Sequence, residues 1–134
     1  MPTLFEKIIA REVPASIVHE DDHTIAFLDI GPISRGHTLL VPREPAELLM
    51  DLSDDAAAAV GRVLPRLSRA VVEATGAAGL NVLQNNGAAA GQAVPHVHFH
   101  LIPCHADGRK LRVDWRAGSL DDAEALQSAI RSAL

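Results

Sequence analysis

Apolar positions along the chain switch between helical and strand periods, and the switches outline the elements. Phe5, Ile8 and Ile9 fall on one side of a short helix over Leu4 to Ala10, which Pro14 ends. Ala15 to Glu20 and Thr24 to Asp29 predict two strands, with Glu20-Asp21-Asp22-His23 as the turn between them. Gly31-Pro32 breaks the chain, and His37 to Val41 predicts a third strand closed by Pro42. Ser53 reads as a helix N-cap, with Asp54 and Asp55 in a first turn that favours carboxylates. Val60, Leu64, Leu67 and Val71 then recur at helical spacing until Gly76 stops the helix, and Pro65 inside it predicts a kink. Leu80 to Asn85 predicts a fourth strand. A loop of small residues, Asn86 to Val94, leads through Pro95 into a fifth, which runs from His96 to about Ile102. The stretch Cys104 to Gly118 has no clear period. Beyond it, Ser119 with Asp122 resembles a capping box, and Leu126, Ile130 and Leu134 predict an amphipathic helix over 119–134.

Strands, a helix, two more strands and a final helix, without regular βαβ alternation, predict an α+β domain on a largely antiparallel sheet. The 134 residues suit one domain spanning 1–134. Hydrophobic residues make up 48 % and aromatics only 3 %, so the core must be built from aliphatic side chains. A net charge of −5 argues against nucleic-acid binding through a basic surface, but leaves room for a single nucleotide held by local donors. Cys104 is the one cysteine, which excludes an intramolecular disulfide and a multi-cysteine zinc cluster. The N-terminus lacks a signal-peptide layout, and no apolar run approaches the ~20 residues of a membrane span. A cytoplasmic protein with no membrane partner is expected.

Chemistry enters with the histidines. Three of seven, His96, His98 and His100, alternate with Val97 and Phe99 in five residues. On a strand, alternate residues share a face, so the imidazoles would point one way and the apolar pair the other. Histidines standing alone, such as His19, His23 and His105, read as ordinary packing or surface residues. Three on one face call for a chemical reason. A metal site is one reading. Residues i and i+4 of a strand are ~13 Å apart, far beyond what ~2.0–2.1 Å zinc–nitrogen bonds bridge for all three rings. A two-histidine site with an outside ligand stays open. Nucleophilic catalysis is another reading. Neutral imidazole can attack an activated phosphorus, and the covalent intermediate divides one difficult displacement into two easier ones. His98, flanked by the other two, is the natural nucleophile. The loop Gly87 to Ala93 has little side-chain bulk, so its backbone N–H groups can approach an anion.

His96-Val97-His98-Phe99-His100-Leu101-Ile102 resembles the signature of the histidine triad (HIT) family, in which histidine alternates with apolar residues. Thr3 to Ile9, Ala26 to Ile30, Gly36 to Pro42, Asn85 to Gly87 and Gly91-Gln92 resemble family segments in the expected order, so the likeness covers about 3–104. It implies a five-stranded antiparallel sheet with two main helices, paired as a homodimer. It also implies metal-independent hydrolysis of nucleoside phosphoramidates, or other α-substituted purine nucleotides, through a nucleotidyl-histidine intermediate, with no cofactor. By position, His98 would be the nucleophile and His100 would contact the α-phosphate, with His96 and His37 completing the cluster. Asp29 would accept from the ribose hydroxyls. Phe5, Ile8, Phe27 and Ile30 would line the base pocket, and Asn85, Gln92 and the backbone near Ala93 would serve the phosphate. Two departures matter. Ala93 stands where many relatives carry Ser or Thr, removing a hydroxyl donor. The positions that hold structural zinc in some bacterial relatives read Thr3, Glu6 and Pro45, so no structural zinc is expected. Dinucleoside polyphosphate hydrolysis, and a nucleotide-binding interaction protein with vestigial activity, are the rival readings.

Overall fold

The computed structural model describes all 134 residues. The helix α1 (Leu4–Ile9) starts at Thr3, whose side chain accepts from the Glu6 N–H. Five strands follow: β1 (Ile17–Glu20), β2 (Thr24–Leu28), β3 (Thr38–Pro42), β4 (Gly79–Leu83) and β5 (Phe99–Cys104). They form one antiparallel sheet in the order β1-β2-β3-β5-β4. The long helix α2 (Asp54–Thr75) links β3 to β4, and α3 (Ala123–Ala133) ends the chain. The predicted α+β architecture is therefore the observed one.

Strand periodicity divides the core in two. Ala26, Leu40 and Leu101 point to one face and pack against Val60, Val63, Leu67 and Val71 of α2. Ile25, Phe27, Leu39 and Val41 point to the other face and pack against Phe5 and Ile8 of α1. With both faces covered, β2 and β3 are buried almost throughout, and each large aliphatic side chain contributes about 1.5–3 kcal/mol. α2 begins as expected, with the Ser53 side chain accepting from the Ala56 N–H, and ends at Gly76 in the left-handed region at φ 68°. The helix is continuous through Pro65. Both Pro65 and Gly61, whose carbonyl loses its intrahelical donor there, lie on the exposed side.

Three of the boundaries that differ from expectation have a visible physical cause. The histidine strand begins at Phe99, so His96 and His98 precede it. β3 pairs with β5 only over Thr38–Leu40, and the Pro42 carbonyl accepts from the His96 ring (2.8 Å) while the Val97 N–H donates to the Ala46 carbonyl. A side chain has replaced the backbone ladder. β4 ends at Leu83, because the side chains of Gln84 and Asn86 bond each other and place Asn85 in the loop. The capping box at Ser119 and Asp122 does not form. α3 starts at Ala123, and Asp122 sits at φ 56° with no capping side-chain bond, whereas a capping residue needs extended backbone. From Arg112 to Leu134 every residue is exposed, so no packing enforces the predicted start.

Candidate active site

The four predicted histidines meet at the end of the sheet beside α1. His37 lies immediately before β3, and His100 opposite Leu39 on β5 brings its ring against it, with Nε2 of His37 2.9 Å from Nδ1 of His100. The rings of His98 and His100 are 4.9 Å apart between centroids, and Phe5 meets His98 edge-on at 4.8 Å. His96 is fully buried behind them, also against Phe5. The cluster survives the late start of β5, because the irregular chain at 96–98 still turns its rings toward α1.

Backbone groups assign the ring protons. The Ile33 N–H donates to Nδ1 of His37 (3.1 Å), so neutral His37 carries its proton on Nε2. That proton goes to Nδ1 of His100, which leaves the His100 proton on Nε2. On the other side, Nδ1–H of His98 donates to the His96 carbonyl (2.7 Å), and its Nε2 keeps a lone pair with no hydrogen bond in the protein. His96 donates from Nε2 to the Pro42 carbonyl, and its Nδ1 is buried without a partner, 4.0 Å from a Glu6 carboxylate oxygen. One ring thus presents a free lone pair and its neighbour a free N–H.

Electrostatics favour the neutral form of three of the rings, His37, His98 and His100. Burial lowers the pKa of His98 from the ordinary 6.5; the nearby His96 ring lowers it further, while the His96 carbonyl and Asp29 oppose the shift. His100 falls to about 4, through burial first and then the neighbouring His98 and His37 rings. His37 is lowered by burial against the pull of Asp29, whose carboxylate oxygen lies 3.6 Å from its Nε2.

Beside the rings runs a cleft of about 220 Å³, with eleven hydrophobic residues among the fifteen that line it. Phe5, Ile8, Phe27, Asp29, Ile30, Ala93, His98 and His100 of the predicted set border it. Ile30 forms the exposed rim, and Asp29 is held in place by the Gly31 N–H (2.8 Å). His37 and His96 do not border it; they stand behind His100 and His98. Asn85 lies by the small-residue loop, where a methyl on Gly91 would come to 3.5 Å of its amide nitrogen. Gln92 departs from expectation. Its Oε1 accepts from the Gly87 N–H and its Nε2 donates to the carbonyls of Glu47 and Val94, so both ends brace the loop. Leu4, Val13, Leu39 and Val94 also line the cleft. The sequence does not single them out, and it gives no sign of the Ile33 N–H or of the His96 and Pro42 carbonyls that set the tautomers.

Asp29, His37 and His100 place ligand atoms within 4.8 Å of one another, close enough to span one metal ion. The Ile33 N–H opposes it. A neutral imidazole bound to metal through Nε2 carries its proton on Nδ1, and that proton would meet the Ile33 N–H head-on. As for Thr3 and Glu6, the first caps α1 and the second faces His96.

The HIT domain model matches residues 10–107. Protein hit of Bacillus subtilis is 36 % identical over 135 residues, covering 98 % of this chain and 93 % of that protein. Adenosine 5'-monophosphoramidase hnt1 of Schizosaccharomyces pombe is 43 % identical over 115 residues, covering 86 % and 84 %. The crystal structure of a HIT family member from Bacillus subtilis superposes with a TM-score of 0.94 at 35 % identity, over 100 % of this chain and 98 % of that one. With its sheet order, its clustered histidines and these matches, the chain belongs to the HIT family.

Proposed function

We propose that this protein hydrolyses purine nucleotides substituted at the α-phosphate, nucleoside 5′-phosphoramidates foremost, through a covalent nucleotidyl–His98 intermediate. The observation that carries this reading is the free Nε2 of His98 at the edge of an apolar cleft, with its other nitrogen pinned to the His96 carbonyl. The base lies among Phe5, Ile8 and Phe27, and the ribose hydroxyls donate to Asp29. The His98 lone pair attacks the α-phosphorus in line, the bond to the leaving amine breaks, and the amine departs with a proton taken from solvent water. The Nε2–H of His100 donates to a phosphoryl oxygen, where charge builds up. Water then attacks the phosphorus, the phosphorus–nitrogen bond returns its electron pair to His98, and the nucleoside 5′-monophosphate leaves. No step calls for a metal ion.

Ala93 shapes the choice of leaving group. Without a hydroxyl beside the leaving group, amines lack a side-chain donor at that position, and groups that leave as stable anions gain by comparison. Hydrolysis of adenosine 5′-phosphoramidate by wild type, His98→Ala and His98→Asn tests the assignment. Both variants are expected to lose at least about 10⁴-fold in kcat while nucleotide binding stays within a few-fold. Turnover near the wild-type rate would overturn it.

The same reading includes a homodimer. Leu120, Leu126, Ile130 and Leu134 lie on a segment that finds no packing within its own chain, and Trp115 is 85 % exposed. A second copy is the partner that would cover them. Sedimentation at micromolar concentration is expected to show a species of twice the 14.2 kDa chain; a single chain mass would remove the pairing. No helix is long and apolar enough to cross a membrane. Residence in the cytoplasm completes the proposal, in keeping with a chain whose single cysteine builds no disulfide framework.

A further inference from the structure

Across Leu28 and Asp29 from the base cleft lies a second cavity, of about 730 Å³, and those two residues border both. Its lining is polar where the first is apolar. His37, Arg35, His105, Asp107 and Arg109 face it together with Asp29. Neither Arg35 nor Arg109 is in an ion pair. The loops that carry them are nonetheless tied together. Nη2 of Arg109 donates to the Ile33 carbonyl (2.8 Å), and the His105 ring donates to the Arg35 carbonyl (2.9 Å). Asp107, the opposing charge, accepts from the Arg109 backbone N–H at 3.1 Å.

We propose that this cavity is a subsite for a phosphate on the ribose 2′ or 3′ oxygen, so that the protein binds 2′- or 3′-phosphorylated ribonucleotides more tightly than plain ones. The inference rests on the nucleotide reading of the base cleft. Asp29 is the polar group common to both cavities, and it is the group that meets the ribose hydroxyls. Whatever extends past it therefore extends from that edge of the sugar. His98 and His100 border the base cleft alone, so the α-phosphate and its substituent stay on the other side. A ribose with one such phosphate keeps its second hydroxyl for Asp29. The phosphate meets two unpaired guanidiniums, whose donor geometry suits it.

Calorimetric titration with adenosine 5′-monophosphate, adenosine 2′,5′-bisphosphate and adenosine 3′,5′-bisphosphate tests this in wild type, Arg35→Ala and Arg35→Ala/Arg109→Ala. One bisphosphate is expected to bind about fivefold tighter than the monophosphate, a modest gain because both guanidiniums are exposed. The gain should shrink in Arg35→Ala, vanish in the double variant and fall with added salt, while monophosphate affinity stays unchanged. The single variant guards against loop damage, since the Arg35 side chain makes no hydrogen bond in the protein. Equal affinity for all three nucleotides, or a gain that survives the double variant, would overturn the subsite and leave the base cleft standing. If the monophosphate itself fails to bind, the nucleotide reading falls and takes the subsite with it.

Discussion

The two halves of the histidine cluster are held in different ways. His96 and His98 hang on backbone carbonyls, those of Pro42 and His96. His37 and His100 hang on each other, and the pair is fixed from behind by the Ile33 N–H. Acceptors anchor one half and a donor anchors the other, so the free nitrogens come out opposite: a lone pair on His98 and an N–H on His100. Four identical side chains thereby take complementary tasks from the backbone groups that anchor each half and, for His100, from the His37 ring between. The division of labour is a matter of tautomer, and it can be broken one half at a time.

After loss of the nucleophile itself, the largest effect falls on the donor half. His100→Ala removes the N–H aimed at the phosphoryl oxygen and is expected to lower kcat by about 10²–10³-fold, less than loss of the nucleophile. Under single turnover, adduct formation at His98 should slow without disappearing. If His100→Ala costs as much as His98→Ala and forms no adduct, the two halves do not divide the work as described.

Acid should weaken the fold around His37, His98 and His100. His37, His98 and His100 all titrate below 6.5 in the folded protein, His100 at about 4. Between those values and 6.5 the unfolded chain binds more protons than the folded one, so stability rises with pH across that window. It is fully present above about pH 6.5 and is lost progressively as the pH falls toward 4. Urea midpoints between pH 7 and pH 5 should drop in wild type and drop less in His100→Asn. Identical slopes in the two proteins would show that the ring is not held neutral by its burial.

A smaller effect separates binding from chemistry. Asp29 flanks the His37 half and also borders the base cleft. Asp29→Ala is expected to weaken a ribonucleotide about tenfold, the worth of charge-assisted hydrogen bonds, and to leave the 2′,3′-dideoxynucleotide nearly unchanged. Equal losses for both ligands would assign Asp29 to the histidines and not to the sugar.

Much of this was legible in the sequence, for identifiable reasons. α1 and α2 follow from apolar period, because each buries one face, and the strands at Thr24 and Thr38 from nearly unbroken apolar runs, because both their faces are covered. The histidine triplet is legible because residue type and spacing suffice to mark it. The start of β5 was not, since the exchange of a ladder bond for the His96 ring depends on where Pro42 lies in space. Gln92 read as a phosphate ligand from its place in the loop, but three bonds with backbone partners at Gly87, Glu47 and Val94 engage it. The tautomers are invisible in sequence, because every residue type has the backbone carbonyl, and nearly every one the N–H, that sets them. Ser119 and Asp122 match a capping box in letters, but α3 has no packing within the chain to select it.

In the proposed reaction everything turns on a bond between His98 and phosphorus. Rapid acid-free quenching of the enzyme with an adenosine 5′-phosphoramidate or adenylyl sulfate, followed by intact and peptide mass spectrometry, tests it most directly. An adenylyl adduct is expected to form within one turnover, to map to the peptide containing His98 and to be absent from His98→Ala. Full turnover with no adduct at any time, or an adduct that persists in His98→Ala, would contradict it.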